Sequence, residues 1–137
     1  MKTAVDTNVL LDVLVGLEPQ ASASASALRE ARARGGLVLS EPVFAELAAA
    51  FDGDAQRLDA FLAAVGAVLV RNDAEVLVEA GRRWRARPRV DGARRRILPD
   101  YWIGAHALHH ADALMTRGRG FARAGVAGLE VWDPTVG

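Results

Sequence analysis

The sequence predicts an α/β fold: a three-layer α/β/α sandwich with a central, mainly parallel five-stranded sheet. Short apolar runs such as residues 37–39 (LVL) and 113–115 (ALM) alternate with longer stretches of helical character. Strands that are apolar on both faces are typical of parallel sheets covered by helices on each side. A chain of 137 residues with no internal repeat and no long linker predicts a single domain, residues 1–137, large enough to bury a core.

Capping residues and glycines divide the chain into its elements. The first strand ends at Asp6, and Thr7 or Asn8 is a suitable cap for the helix that follows. A helix rich in Ala and Arg stops at Gly35, and Ser40 caps the next one. The predicted strands are residues 2–5, 37–39, 67–70, 113–115 and 129–132, and the predicted helices are residues 8–15, 21–34, 41–51, 54–65, 73–86 and 99–110.

Composition excludes several classes of protein. The chain has no cysteine, which removes thiol catalysis, zinc knuckles and iron–sulfur ligation. Its first apolar run is interrupted by Asp6, Asn8 and Asp12 and lacks the cleavage site of a secretory signal. No run approaches the ~20 apolar residues that span a bilayer. We therefore expect a soluble, cytoplasmic protein without a membrane partner.

Charge is balanced overall but concentrated locally. The chain has 17 basic and 17 acidic residues, yet the 15 residues from Arg82 to Arg96 include eight arginines and one acid, a local formal charge of +7. Such a stretch is either a solvated face or a surface that binds phosphates. RNA is the ligand we expect, with binding that weakens steeply as salt rises. The candidate RNA-contacting residues are Arg94, Arg95, Arg96 and Arg117.

Three acidic residues are placed where a parallel sheet can bring them together. Asp6 follows the first strand, Glu46 lies inside an otherwise apolar helix, and Asp100 lies in the first turn of the helix that begins at Pro99. Each has a simpler interpretation, as a helix cap, a solvated residue and a partner of the helix dipole respectively. If they meet in the crevice at the carboxyl ends of the strands, their repulsion requires a cation such as Mg²⁺, which prefers oxygen ligands. A cation held there can activate water and stabilise charge on a phosphodiester.

Four ordered segments carry a resemblance to a known family. They are similar to PIN-domain ribonucleases, and among these to the VapC-type toxins of bacterial toxin–antitoxin pairs. The resemblance extends from Lys2 to Pro134. The segments are residues 5–12 (VDTNVLLD), 43–47 (VFAEL), 94–108 (RRRILPDYWIGAHAL) and 111–121 (ADALMTRGRGF).

The resemblance implies a function and a set of site residues. Asp6, Glu46 and Asp100 correspond to the metal-binding and catalytic acids, which hold Mg²⁺ or Mn²⁺ and direct a metal-activated water at an RNA phosphodiester. Thr7 and Asn8 lie beside them as candidates to support the metal ligands or contact phosphate. The resemblance also implies an antitoxin protein as partner, and a homodimer.

One position departs from the family pattern. Where the family usually has Thr-Arg-Asp, this chain has Thr116-Arg117-Gly118, so a fourth carboxylate is missing. Asp112 precedes the fourth strand and lies roughly 13 Å from Thr116, at the wrong end of the sheet to replace it. Thr116 is a candidate to hold a metal-bound water, and the Gly118 backbone N–H is a candidate phosphate contact. The departure leaves open whether one or two metals bind.

Two functions therefore compete. The first is a metal-dependent ribonuclease toxin, and the second is a catalytically weakened PIN-like module that engages an antitoxin or RNA without efficient cleavage. A phosphoryl-accepting receiver domain is excluded because Lys2 is the only lysine and a late-strand lysine is required. His106 and His110 have the i, i+4 spacing of a zinc pair, but with no suitable third ligand we expect them to serve packing.

Overall fold

The computed structural model describes residues 1–87, 98–118 and 128–136. Five strands form one sheet in the order β3-β2-β1-β4-β5, and all four described pairings are parallel. This confirms the predicted α/β fold, with strand ends within one residue of the prediction. The strands are β1 (Thr3–Val5), β2 (Leu37–Leu39), β3 (Ala67–Leu69), β4 (Ala113–Met115) and β5 (Glu130–Trp132).

Six helices in the described residues surround the sheet, and the start of the first shows which of its candidate caps is used. Asp6, rather than Thr7 or Asn8, is the N-cap of the first helix, because its carboxylate accepts a hydrogen bond from the Thr7 backbone N–H. The sixth helix begins one residue before Pro99. The helices are α1 (Thr7–Val15), α2 (Gln20–Arg34), α3 (Glu41–Ala50), α4 (Ala55–Val65), α5 (Ala74–Arg85) and α6 (Leu98–His110).

The strand order creates a crevice beside the central strand. The chain moves outward from β1 to β2 and β3, and then returns to place β4 on the other side of β1. Since such crossovers are right-handed, the two directions place their helices on opposite faces, which gives the three layers. The reversal lies between β1 and β4, where Val5 pairs with Met115. The residues that follow these two strands therefore meet at the carboxyl ends, where α/β sheets bind ligands.

Apolar side chains between the sheet and the helices hold this arrangement. Leu10, Leu39, Leu47 and Leu114 are fully buried, and burial of each such side chain contributes roughly 2 kcal/mol. Separately, α5 packs along α6 through a smaller cluster that includes Val76. No helix in the described part of the chain has the length and apolar character needed to cross a membrane.

Candidate active site

Asp6 is the centre of the candidate site. It is 9% exposed and lies at the junction of β1 and α1, where it combines the role of helix cap with that of a crevice-lining carboxylate. Its Oδ1 accepts from the Thr7 backbone N–H at 2.7 Å, and its Oδ2 accepts from the Thr116 hydroxyl at 2.7 Å. These bonds fix the carboxylate between the carboxyl ends of β1 and β4. The helix-capping interpretation and the site interpretation are thus compatible.

Thr116 and Asn8 support the same carboxylate from two sides. The Asn8 amide group lies 3.4 Å from both Asp6 Oδ2 and Thr116 Oγ1. Thr116 Oγ1 in turn accepts from the Gly118 backbone N–H at 2.9 Å. The Gly118 N–H is therefore used within the site, contrary to the expectation that it is offered to a phosphate. The Thr116 hydroxyl proton is directed at Asp6.

Glu46 lies within reach of the charges of both Asp6 and Asp100. Although the residue is exposed at the rim, surrounding protein partly desolvates its carboxylate, and this raises the pKa of Glu46 above its ordinary value. The negative charge of Asp6 raises the pKa further, the Thr7 side chain opposes the rise, and the charge of Asp100 adds to it. Asp100 lies in the first turn of α6, as predicted. The sheet thus brings acids from β1–α1, α3 and α6 into one electrostatic cluster.

The acidic side chains of the cluster are of the type that binds a hard cation, but within the described structure they are not arranged around a metal site. Carboxylates whose charges repel one another are stabilised by a divalent ion, and oxygen donors are those that Mg²⁺ and Mn²⁺ take. In the described residues, however, no group of three or more His, Cys, Asp or Glu side chains is arranged to hold a metal ion. Metal binding at Asp6, Glu46 and Asp100 would therefore require these side chains to close on the ion.

Arg117 is placed differently from the sequence expectation. Its guanidinium donates from Nε to Asp12 Oδ2 at 2.7 Å and from Nη2 to Asp12 Oδ1 at 2.8 Å, so its charge is engaged within the protein rather than offered to RNA. The side chain of Asp12 is only 9% exposed. Sequence reasoning missed this pair because its members are 105 residues apart.

Four further residues considered in the sequence are Asp112, at the opposite end of the sheet from Asp6, and three arginines outside the described residues. Asp112 Oδ2 accepts from the Lys2 backbone N–H at 2.8 Å, at the amino ends of β1 and β4, and so cannot supply the missing fourth carboxylate. Arg94, Arg95 and Arg96 lie outside the described residues.

His106 and His110 pack against each other, as expected for this pair. His106 is fully buried, its Nε2 lies 2.9 Å from the Val70 carbonyl oxygen, and its ring packs 4.9 Å from that of His110. His109 contacts Glu79 of α5 at the surface.

Glu41, in the first turn of α3, accepts a hydrogen bond from the backbone N–H of Asn72 at 2.9 Å and thereby connects α3 to the segment after β3.

The strand order defines a doubly wound α/β domain whose topological switch point lies between β1 and β4, directly before Asp6 and Thr116. The sequence model described as the PIN domain matches residues 3–127. The chain therefore belongs to the PIN domain family.

Solved structures share this fold across almost the whole chain. A toxin–antitoxin complex from Klebsiella pneumoniae has 22% identity and a TM-score of 0.68, with 96% of this chain and 97% of that chain covered. VapBC2 from Rickettsia felis, bound to a DNA fragment from its promoter, has 19% identity and a TM-score of 0.66, with coverage of 97% and 100%. FitAcB from Neisseria gonorrhoeae has 20% identity and a TM-score of 0.68, with coverage of 96% and 97%. No curated protein matches the chain.

Proposed function

We propose that the chain is the toxin of a toxin–antitoxin pair and acts as a Mg²⁺- or Mn²⁺-dependent endoribonuclease. The observation that carries the proposal is the position of Asp6 at the carboxyl ends of β1 and β4, held by Thr116, in a chain that belongs to the PIN domain family. Asp6, Glu46 and Asp100 come from separate elements, and the negative charges of Asp6 and Asp100 both raise the pKa of Glu46, a repulsion that a divalent ion would relieve. The toxin–antitoxin complexes among the similar structures support the biological role.

Each residue of the site has a separate task in this proposal. Asp6, Glu46 and Asp100 would hold the metal ion, which, when bound, activates water and stabilises the charge of a reacting phosphodiester. Thr116, Asn8 and the Thr7 backbone N–H orient the Asp6 carboxylate through the hydrogen bonds described above. RNA binding is assigned to the arginine-rich stretch that includes Arg94, Arg95 and Arg96.

The proposed partners are an antitoxin protein and a second copy of the chain, together with the RNA substrate. An antitoxin that covers the crevice would prevent access of RNA to the acids. Two acids of the cluster raise the pKa of a third, so a cationic antitoxin side chain placed there would relieve the same repulsion that a metal ion relieves.

The direct test is cleavage of structured and single-stranded RNA by the purified chain. We expect cleavage with 5 mM Mg²⁺ or Mn²⁺, no cleavage in EDTA, and recovery when the metal is restored. A contaminating ribonuclease is excluded by purifying the Asp100→Asn variant in parallel. Cleavage that persists unchanged in EDTA would contradict the proposal, as would a wild-type preparation that cleaves no RNA with either metal.

The competing function, a PIN module with weakened catalysis, is favoured by Gly118, because the acid usual at this position is absent. We expect Gly118→Asp to tighten Mg²⁺ binding by about tenfold, the effect of one added interaction of roughly 1.4 kcal/mol, and to raise the cleavage rate. Gly118→Asn is the matched control, since it adds a side chain of similar size without the charge. Equal Mg²⁺ affinity and rate in Gly118→Asp and wild type would show that the missing acid is unimportant.

A further inference from the structure

Asp12 lies on α1, about one and a half turns after Asp6, and its carboxylate accepts three side-chain hydrogen bonds. It receives both nitrogens of the Arg117 fork, and its Oδ2 also accepts from the Ser24 hydroxyl at 2.7 Å. A bidentate arginine–carboxylate pair is among the strongest and most directional polar contacts in proteins. The three residues come from α1, from α2 and from the segment after β4. We call this group of Ser24, Asp12 and Arg117 the clasp.

The clasp is continuous with the groups that orient Asp6. The Arg117 backbone N–H donates to Asn8 Oδ1 at 3.2 Å, and the amide nitrogen of that same Asn8 faces Asp6 Oδ2 and Thr116 Oγ1. Thr116, which donates to Asp6, immediately precedes Arg117. A shift of Arg117 relative to α1 would therefore move both the Thr116 hydroxyl and the Asn8 side chain.

Two consecutive residues connect the segment after β4 to α1 and its N-cap. The Thr116 hydroxyl donates to Asp6 itself, whereas Arg117 donates to Asn8 through its backbone N–H and to Asp12 through its guanidinium. The side chain of Arg117 is about one third exposed and that of Asp12 is largely buried, so the pair is partly protected from water.

We propose that Asp12 and Arg117 are positioning residues for the metal-binding site. Their ion pair locks the segment after β4 against α1, so that Thr116 and Asn8 hold the Asp6 carboxylate in one orientation. The inference rests on the proposed function, since that function gives the orientation of Asp6 its purpose. It also assigns the charge of Arg117 to the architecture of the site rather than to RNA.

Native-state amide hydrogen exchange tests the clasp without any metal or substrate. In Asp12→Asn and in Arg117→Lys, which loses the bidentate geometry, we expect the Arg117 and Gly118 amides to exchange at least about tenfold faster than in wild type. The amide of Thr7, which donates to Asp6, is expected to follow. The Val70 amide, which donates to the Leu39 carbonyl in the sheet, is the internal reference and is expected to be unchanged.

A purely structural role predicts a different pattern. If the clasp only stabilised the domain, exchange at Val70 would accelerate by the same factor as exchange at Gly118, and that outcome would overturn the proposal, as would unchanged exchange at Arg117 and Gly118. Glu30→Gln is the matched control, because Glu30 pairs with Arg34 on the exposed surface of α2 and is expected to leave all four amides unaffected.

Mn²⁺ affinity, measured by titration calorimetry, separates this proposal from the proposed function. If the wild type binds Mn²⁺, Asp12→Asn is expected to weaken this binding by about tenfold, because residues that support metal ligands contribute an effect of this size. An unchanged affinity would contradict the positioning role. A wild type that binds no Mn²⁺ and cleaves no RNA would remove the proposed function, while the exchange pattern would still decide whether Asp12 and Arg117 orient Asp6.

Discussion

Asp100→Asn and Asp6→Asn are each expected to reduce metal-dependent RNA cleavage by about 100-fold or more. Loss of outer-shell support alone costs about 10- to 100-fold, and removal of a ligand charge costs more. Asn preserves the size of each side chain and can still cap α1 at position 6, so the fold is expected to remain intact. Single-turnover cleavage with Mg²⁺ measures the effect on chemistry, and expression in bacteria measures the accompanying loss of growth inhibition.

Asp112→Asn provides the matched control for these variants. Asp112 belongs to the same strand segment as Thr116 but accepts from Lys2 at the opposite end of the sheet. It is expected to keep wild-type cleavage and toxicity. If Asp100→Asn or Asp6→Asn cleaved RNA as fast as Asp112→Asn, the assignment of the acidic cluster as the catalytic site would be wrong.

Acidification from pH 7 to pH 5 is expected to lower the free energy of unfolding by about 2 kcal/mol through His106 alone. The pKa of His106 is lowered from 6.5 to about 4, mainly by burial and also by the charge of His110, while the Val70 carbonyl and Glu41 oppose the shift. Because the histidine is neutral when folded, the unfolded chain binds the extra proton as pH falls. The free energy of unfolding is therefore unaffected by protonation of His106 well above pH 6.5, and it falls as the pH decreases from about 6.5 toward 4.

Urea unfolding at pH 7 and pH 5 measures this loss. His106→Asn is expected to lower the free energy of unfolding at both pH values, because it changes a fully buried position. The decrease in the free energy of unfolding from pH 7 to pH 5 is expected to be about 2 kcal/mol smaller in this variant than in wild type. His109→Asn, which alters a partly exposed histidine of the same helix, is expected to keep the wild-type difference. Equal stability of the wild type at the two pH values would contradict a neutral His106.

The sequence was sufficient to predict the fold because its signals are local. Glycines such as Gly35 and Gly66 end helices, and short runs such as residues 113–115 are apolar throughout. These features predicted all five described strands to within one residue. The sequence left the N-cap of α1 open among Asp6, Thr7 and Asn8, because all three have capping side chains and only the backbone conformation distinguishes among them.

The site was predictable in part. Local sequence pattern predicts that Asp6 follows a buried strand and that Asp100 lies in a first helical turn. The assignment of Glu46 to the same site depended on the family resemblance. The pair of Asp12 and Arg117 gave no local signal, since contacts between distant positions are set by the packing of the sheet. The spacing of the three acids depends on side-chain rotamers, which no sequence pattern specifies.

The hydrogen bond between Asp6 and Thr116 joins positions 110 residues apart. During synthesis the ribosome releases the first strand early, but β4 can insert beside it only after nearly all of the domain has emerged. A ribosome-bound fragment that ends before Thr116 carries Asp6, Glu46 and Asp100 but lacks the hydroxyl that orients the first of them. Completion of the crevice is therefore among the last events in the maturation of the chain.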